Sequence, residues 1–421
     1  MEKRKFIFLV GVLFLISCGS DDYVILDPNK GNKPPSSFEL INVPDESIDV
    51  TPTPTLEWES AMDPDGDSIT YDLYVDTIEE PINKVAENIA GTNFTLESTM
   101  ALSPARDYYW KVVAKDGKEG ETSSIVFTFR VKNLDDAKKL DAQTPFYPIE
   151  NHTSVVFDQK MWVLGGFDNG EASSTPWESS DGKNWSILIV GSEERFTPRF
   201  FHAATVFEDT LWVAGGVAEG VFASDIWYSD NGGRWNKLDQ NMGFTERAEH
   251  TFTSYNNMLW IIGGSNNSGK LGDVYASSDG SNWTRTVEQA AFGKRNFHQT
   301  VAFQDKLWVI GGIDENGDFK NDVWNSTDGI SWNEITAHAE FSPRGFHKVL
   351  VFNDKIWVIG GGAENDIWYS EDGREWYDAS PTNRFPIKSG FTTLFHRNKI
   401  WILGGSATNE VWTIDYHFFQ N

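Results

Sequence analysis

Cysteine is almost absent: the chain of 421 residues has one, Cys18. No intramolecular disulfide can form, and a cysteine-rich zinc site is excluded. Positive charge is scarce too. There are 35 Lys and Arg against 62 Asp and Glu, a formal net charge of −27. General nucleic-acid binding is therefore disfavoured, because phosphate is repelled, and acidity alone argues only for solubility. Long helical patterns are few. The one long apolar run, FIFLVGVLFLI at 6–16, is too short for a comfortable membrane span. What abounds is Trp (18), Phe (29) and Gly (36), the composition of a globular β protein. The length exceeds one ordinary core, so two or more domains are expected.

The apolar run follows a charged MEKRK start and precedes LISC at 15–18, the layout of a secretory signal. LISCG resembles the lipobox of bacterial lipoproteins, with Ile16 where a small residue is usual. The resemblance implies removal of residues 1–17, lipidation of Cys18, and a membrane partner through a lipid anchor. The plainer alternative is a signal peptide with an incidental cysteine. Ser20, Asp21 and Asp22 resemble the acidic export signal of Bacteroidetes-type surface lipoproteins, which implies an outer-membrane, surface-exposed location. Residues 18–35, rich in Pro, Asn and Gly, read as a flexible tether.

Residues 36–133 carry period-two strands, TPTLEW, SITYDLYV, DYYWKVVAKDG and SSIVFTFRV, separated by turns. About 100 residues so patterned predict a β-sandwich. YYWKVVAKDG, Trp58 and YDLYV resemble a fibronectin type III domain, which implies that Trp58 is core and that Tyr108 or Tyr109 opens the penultimate strand. Asp63, Asp65 and Asp67 in DPDGD have oxygens suited to calcium; the alternative is a solvated turn shaped by Pro64 and Gly66.

The remainder repeats. Double glycines at 165–166, 215–216, 263–264, 311–312, 360–361 and 404–405 are spaced by 50, 48, 48, 49 and 44 residues, a repeat architecture. Each ends a strand of the type LWVIGG. A strand such as HQTVAFQ precedes it, a third such as DIWYS follows, and SSDGKNW-type hairpins lead to a fourth. This predicts a six-bladed β-propeller over 138–417, all-β like the sandwich. The last blade lacks a fourth strand, so residues near 138–143 are expected to supply it beside 409–416. The recurring GG and third-strand Trp resemble the Kelch repeat. SxDGxxW is similar to the sialidase Asp-box, but one residue is missing between Asp and Gly.

Every Trp has a repeat or core address, which points to packing rather than sugar stacking. Phe146, Phe196, Phe244, Phe292, Phe341 and Phe385 recur in register as expected plugs between blades. His152, His202, His250, His298 and His347 share one position, with Phe391 in the sixth copy. These are expected to be structural, bonded to backbone or to Asp225, Asp273, Asp322, Asp366 and Glu410. Three residues before them stand Arg199, Arg247, Arg295, Arg344 and Lys388, with Ile149 in the first copy. This row is expected to ring one channel mouth, on the face with the varied second-to-third-strand loops, and to offer bidentate binding of an acidic ligand. Pairing with nearby acids is the alternative.

Two functions remain open: a non-catalytic, anchored binding module for a glycan or protein, or an enzyme of acidic sugars, since six-bladed Kelch propellers include sialic-acid mutarotases. No catalytic residue, metal or cofactor is marked out. A galactose-oxidase-like copper site is excluded, because Cys18 is the only cysteine and lies in the lipobox.

Overall fold

A computed structural model describes residues 31–141, 148–168, 170–188, 194–238 and 242–416. Cys18 and Phe146, both singled out in the sequence, lie outside the described residues.

The first module has two sheets. Leu40–Asn42, Thr55–Trp58 and Asn93–Thr95 form one; Ser47–Val50, Phe127–Val131, Asp107–Lys115, Thr70–Asp76 and Lys84–Ile89 form the other, in that order. Alternation along Asp107–Lys115 turns Tyr108, Trp110, Val112 and Ala114 inward, where they meet Trp58, Tyr71 and Phe129 in one core. The Tyr108 hydroxyl accepts the Ser103 N–H at 2.9 Å, tying the strand's start to the chain five residues upstream. In the DPDGD loop the carboxylates are partly engaged by the protein itself, while Asp63 Oδ2 and Asp67 Oδ2 find no hydrogen-bond partner among the described residues. Asp63 Oδ1 accepts the N–H groups of Asp65 and Asp67 at 2.8 and 3.0 Å, and Asp67 pairs with Lys118 at 2.7 Å.

The repeats fold as a β-propeller. Every sheet but the last runs from strand one to strand four in sequence order. The third sheet, for instance, is Thr251–Tyr255, Met258–Asn266, Gly269–Ser277 and Thr284–Val287. The last sheet takes its outer strand from Lys138–Lys139, which pairs with Thr413 and Trp412. Each first strand adjoins the next sheet's first strand, and Thr392–His396 adjoins Thr153–Phe157, so the first strands surround a common axis.

Apolar clusters fill the spaces between neighbouring sheets; one of them combines Trp260, Ile262 and Val274 with Leu307 and Val309. Burying each such aliphatic side chain contributes roughly 1.5–3 kcal/mol. The double glycine is explained where sheets meet. Gly263 and Gly264 have φ of 59° and 98°. A Cβ on Gly263 would lie 2.8 Å from Cε1 of His298 in the next sheet, and one on Gly264 would lie 2.7 Å from Cβ of His250.

The first module docks on the hairpin end of the fifth sheet. Glu371 accepts hydrogen bonds from Ser103 Oγ at 2.6 Å and Arg106 Nη1 at 3.2 Å. The Tyr369 hydroxyl donates to the Pro104 carbonyl at 2.7 Å, and Leu134 joins the apolar cluster of Phe352 and Trp357. Among the described residues, the opposite end of the propeller, with the long second-to-third-strand loops, takes no part in these contacts.

Candidate functional site

The arginine row is not the cationic rim expected from the sequence. Arg199, Arg247, Arg295 and Arg344 are 0–1% exposed and Lys388 is 2% exposed. Each guanidinium grips the acid of its own sheet's third strand. Arg199 Nη1 and Nη2 donate to the two Asp225 oxygens at 2.7 and 2.9 Å, while Nη1 also reaches the Gly215 carbonyl at 2.8 Å and Nε the Thr197 carbonyl at 3.0 Å. Arg247 repeats this with Asp273 and the Gly263 carbonyl, Arg295 with Asp322 and Gly311, and Arg344 with Asp366 and Gly360. Lys388 Nζ holds Glu410 at 3.0 Å and Thr408 Oγ1 at 2.8 Å.

Burial opposes the charge of Asp225 and Asp366, but the hydrogen bonds and charge of Arg199 and Arg344 outweigh it and hold both carboxyls below the usual range. The cations are spent on joining strand one to strand three, so they cannot also clamp a ligand. The signal was present in the sequence: the two positions vary together, Arg with Asp, Lys with Glu, and Ile149 with Thr175.

Of the two partners expected for the histidines, backbone and the third-strand acids, only the acids are ruled out, because they belong to the arginines. His202, His298 and His347 meet the backbone of Leu164, Ile262 and Ile310. In addition, Nε2 of His152, His202 and His298 meets a threonine hydroxyl of the preceding sheet, Thr392 at 2.8 Å, Thr153 at 3.0 Å and Thr251 at 3.4 Å. The second sheet has Ala203 at that place, and neither ring nitrogen of His250 finds a partner among the described residues. Ala203→Thr is therefore expected to raise stability by about 1 kcal/mol, read as a higher denaturant midpoint at unchanged slope; a neutral or lower midpoint would refute the pairing.

The phenylalanine slots behave as packing. Phe196, Phe292 and Phe341 meet the hairpin tryptophans Trp235, Trp332 and Trp376 edge-on, with centroids 4.9–5.0 Å apart.

Sequence reading missed the residue just before each histidine. Asn151, Phe201, Glu249, Phe297 and Phe346 all have φ between 54° and 62° or, for Phe297, 51°, and Gly390 has 64°. Their backbones form a belt around the axis. The N–H of Asn151 donates to the Gly390 carbonyl at 2.8 Å, Phe201 to Asn151 at 3.0 Å, Glu249 to Phe201 at 3.0 Å, Phe297 to Glu249 at 3.1 Å and Phe346 to Phe297 at 3.1 Å. The belt fixes the side chains at the mouth of a cavity of about 300 Å³ that follows the first strands.

Beside it runs a continuous arc of partly exposed phenylalanines. Centroids are 5.3 Å apart for Phe167–Phe200, 5.2 Å for Phe200–Phe201, 5.5 Å for Phe201–Phe297 and 3.7 Å for Phe297–Phe346. These residues share no repeat position that demands an aromatic: the belt carries Asn, Glu and Gly elsewhere. Glu249 sits within the belt, its Oε2 held by Ser265 Oγ at 2.5 Å and Asn296 Nδ2 at 2.7 Å. Among the described residues, no group of three His, Cys, Asp or Glu could hold a metal ion.

The sequence profile of the KLHDC2/KLHL20/DRC7 Kelch-repeats domain matches residues 111–286 and 233–405. Comparison with curated proteins finds no match.

Proposed function

We propose, for a chain that belongs to the KLHDC2/KLHL20/DRC7 Kelch-repeats domain family, a non-catalytic binding function exercised at the channel mouth, with a protein as the ligand. The observation that carries this is the phenylalanine arc from Phe167 to Phe346 on the face that the first module leaves free. Kelch-repeat domains commonly bind proteins, and partly exposed aromatic clusters are where interface energy concentrates. Phenylalanine supplies apolar area without a polar handle, which suits apolar side chains better than a hydroxyl-rich glycan. The groups that a glycan or acidic sugar needed, the arginine row, are occupied internally. The acidic-sugar enzyme reading loses its cationic rim for the same reason.

Around this core we read a six-bladed propeller on a fibronectin type III-like spacer, tethered through residues 18–35 to a lipid on Cys18 and displayed on the outer membrane. Docking of the spacer at the hairpin end supports this orientation, because it leaves the loop face outward.

Phe201→Asn/Phe297→Asn/Phe346→Asn tests the binding surface. Asn is what the first repeat carries at the same backbone position, so the left-handed φ is kept. A photo-crosslinker placed near Phe200 should trap a partner from the cell envelope, and purified partner should bind the triple variant at least about 100-fold more weakly. Equal affinity would sink the arc as the binding surface. Capture abolished by glycosidase would move the ligand to a glycan.

A further inference from the structure

The axial cavity contains a cation that the repeat does not account for. Directly after the histidine row the repeats carry Thr153, Ala203, Thr251, Gln299, Lys348 and Thr392. The threonines serve the next sheet's histidine, as described above. Lys348 has no such duty, because the next sheet has Phe391 instead. Lys348 lines the 300 Å³ cavity, and no ion pair or hydrogen bond of its ammonium occurs among the described residues. The one carboxylate among the lining residues, Glu249, is held by Ser265 and Asn296. Two further lining residues, Ser154 and Thr393, have buried hydroxyl oxygens without partners, and Thr393 is only 7% exposed. Apolar Val349, Leu350 and Leu394 complete the wall.

Lys348 is half-buried, and a cation that lines a cavity without a counter-charge is unfavourable until an anion joins it. We infer that the cavity is a binding site for a small organic carboxylate, its carboxylate seated on the Lys348 ammonium. A single cation suits a monoanion. The volume, about ten waters' worth, exceeds a bare inorganic ion, and the apolar wall takes a short carbon chain. This site lies inside the propeller and does not depend on the phenylalanine arc as a docking surface.

The charge state sets the pH dependence. Burial pushes the Lys348 ammonium down to about 8. The other titratable groups facing the cavity are Glu249 and His152, His202, His250, His298 and, beside Lys348, His347. Burial keeps these histidines neutral. A carboxylate binds the protonated amine, so its affinity holds below pH 8 and falls as pH rises through it. Binding in turn raises the pH at which Lys348 loses its proton.

The test is NMR of the full chain with ¹³Cε-labelled lysine. The Lys348 signal is assigned by its loss in Lys348→Thr, the residue that three sister repeats carry there. Without ligand its midpoint is expected near 8; sodium acetate or lactate should raise it by about one unit or more, and sodium chloride at equal ionic strength should not. By calorimetry Lys348→Thr should lose at least tenfold in lactate affinity, and Lys348→Arg should retain binding. A midpoint unmoved by both carboxylates, an equal shift in chloride, or lactate binding by Lys348→Thr as tight as by the natural chain would each overturn the site.

Discussion

Acidifying the protein from pH 7 to about 5 is expected to unfold it, well above the range in which carboxylates titrate. Five histidines are buried between the sheets. Burial, the largest cause in each, lowers His152, His202 and His298 to about 3 and His250 and His347 well below 6.5. A histidine lowered in the folded state makes its full contribution above the unfolded value near 6.5 and loses it as pH falls toward about 3. In that window the unfolded chain binds about five more protons than the folded one, so stability falls by roughly 7 kcal/mol per pH unit. That approaches the whole stability of an ordinary domain. Denaturant midpoints at successive pH values, with proton uptake measured in buffers of different ionisation heat, would show it. His250→Phe, borrowing the sixth repeat's Phe391, should reduce the uptake by about one proton. A flat stability profile between pH 6.5 and 4.5 would contradict the buried neutral row.

Arg295→Ala is expected to cost about 3–5 kcal/mol, because it leaves Asp322 buried without its partner. Arg295→Ile combined with Asp322→Thr should recover most of that loss. It installs the Ile149 and Thr175 combination of the first repeat, where neither charge is present. Chemical denaturation of the natural chain, Arg295→Ile, Asp322→Thr and the double variant closes a double-mutant cycle, and a coupling near zero would contradict the pairing. A single Arg295 variant that kept full stability yet lost ligand binding would restore the rim role that the geometry removes.

Other consequences bear on how far residue patterns reach. The strand ending in GG, the Asp-Gly hairpin and the tryptophan addresses were readable because each is a local event repeated at nearly constant spacing. Trp260, for example, is 4% exposed inside an inter-sheet cluster, as a packing residue should be. At Arg199, Arg247, Arg295, Arg344 and Lys388 the sequence left two readings open, a ligand-binding rim and pairing with acids, and the structure shows the pairing. Arginine at a loop base looks the same whether its guanidinium turns outward to solvent or inward to the third strand. The correlated acids 22–27 residues later were the clue, and they had been assigned to the histidines.

Sequence alone determined that this is a disulfide-free, acidic, all-β chain of Kelch repeats, and it determined which residues are interchangeable between repeats. Those properties arise within one repeat, from hydrophobic alternation and turn chemistry. Only the tertiary structure decided that Phe201, Phe297 and Phe346 meet at one mouth, that His152, His202 and His298 lean on a neighbour's threonine, and that Lys348 has no partner among the described residues. Such contacts join residues about one repeat apart, or several, and they exist only because the first strands come together around a common axis.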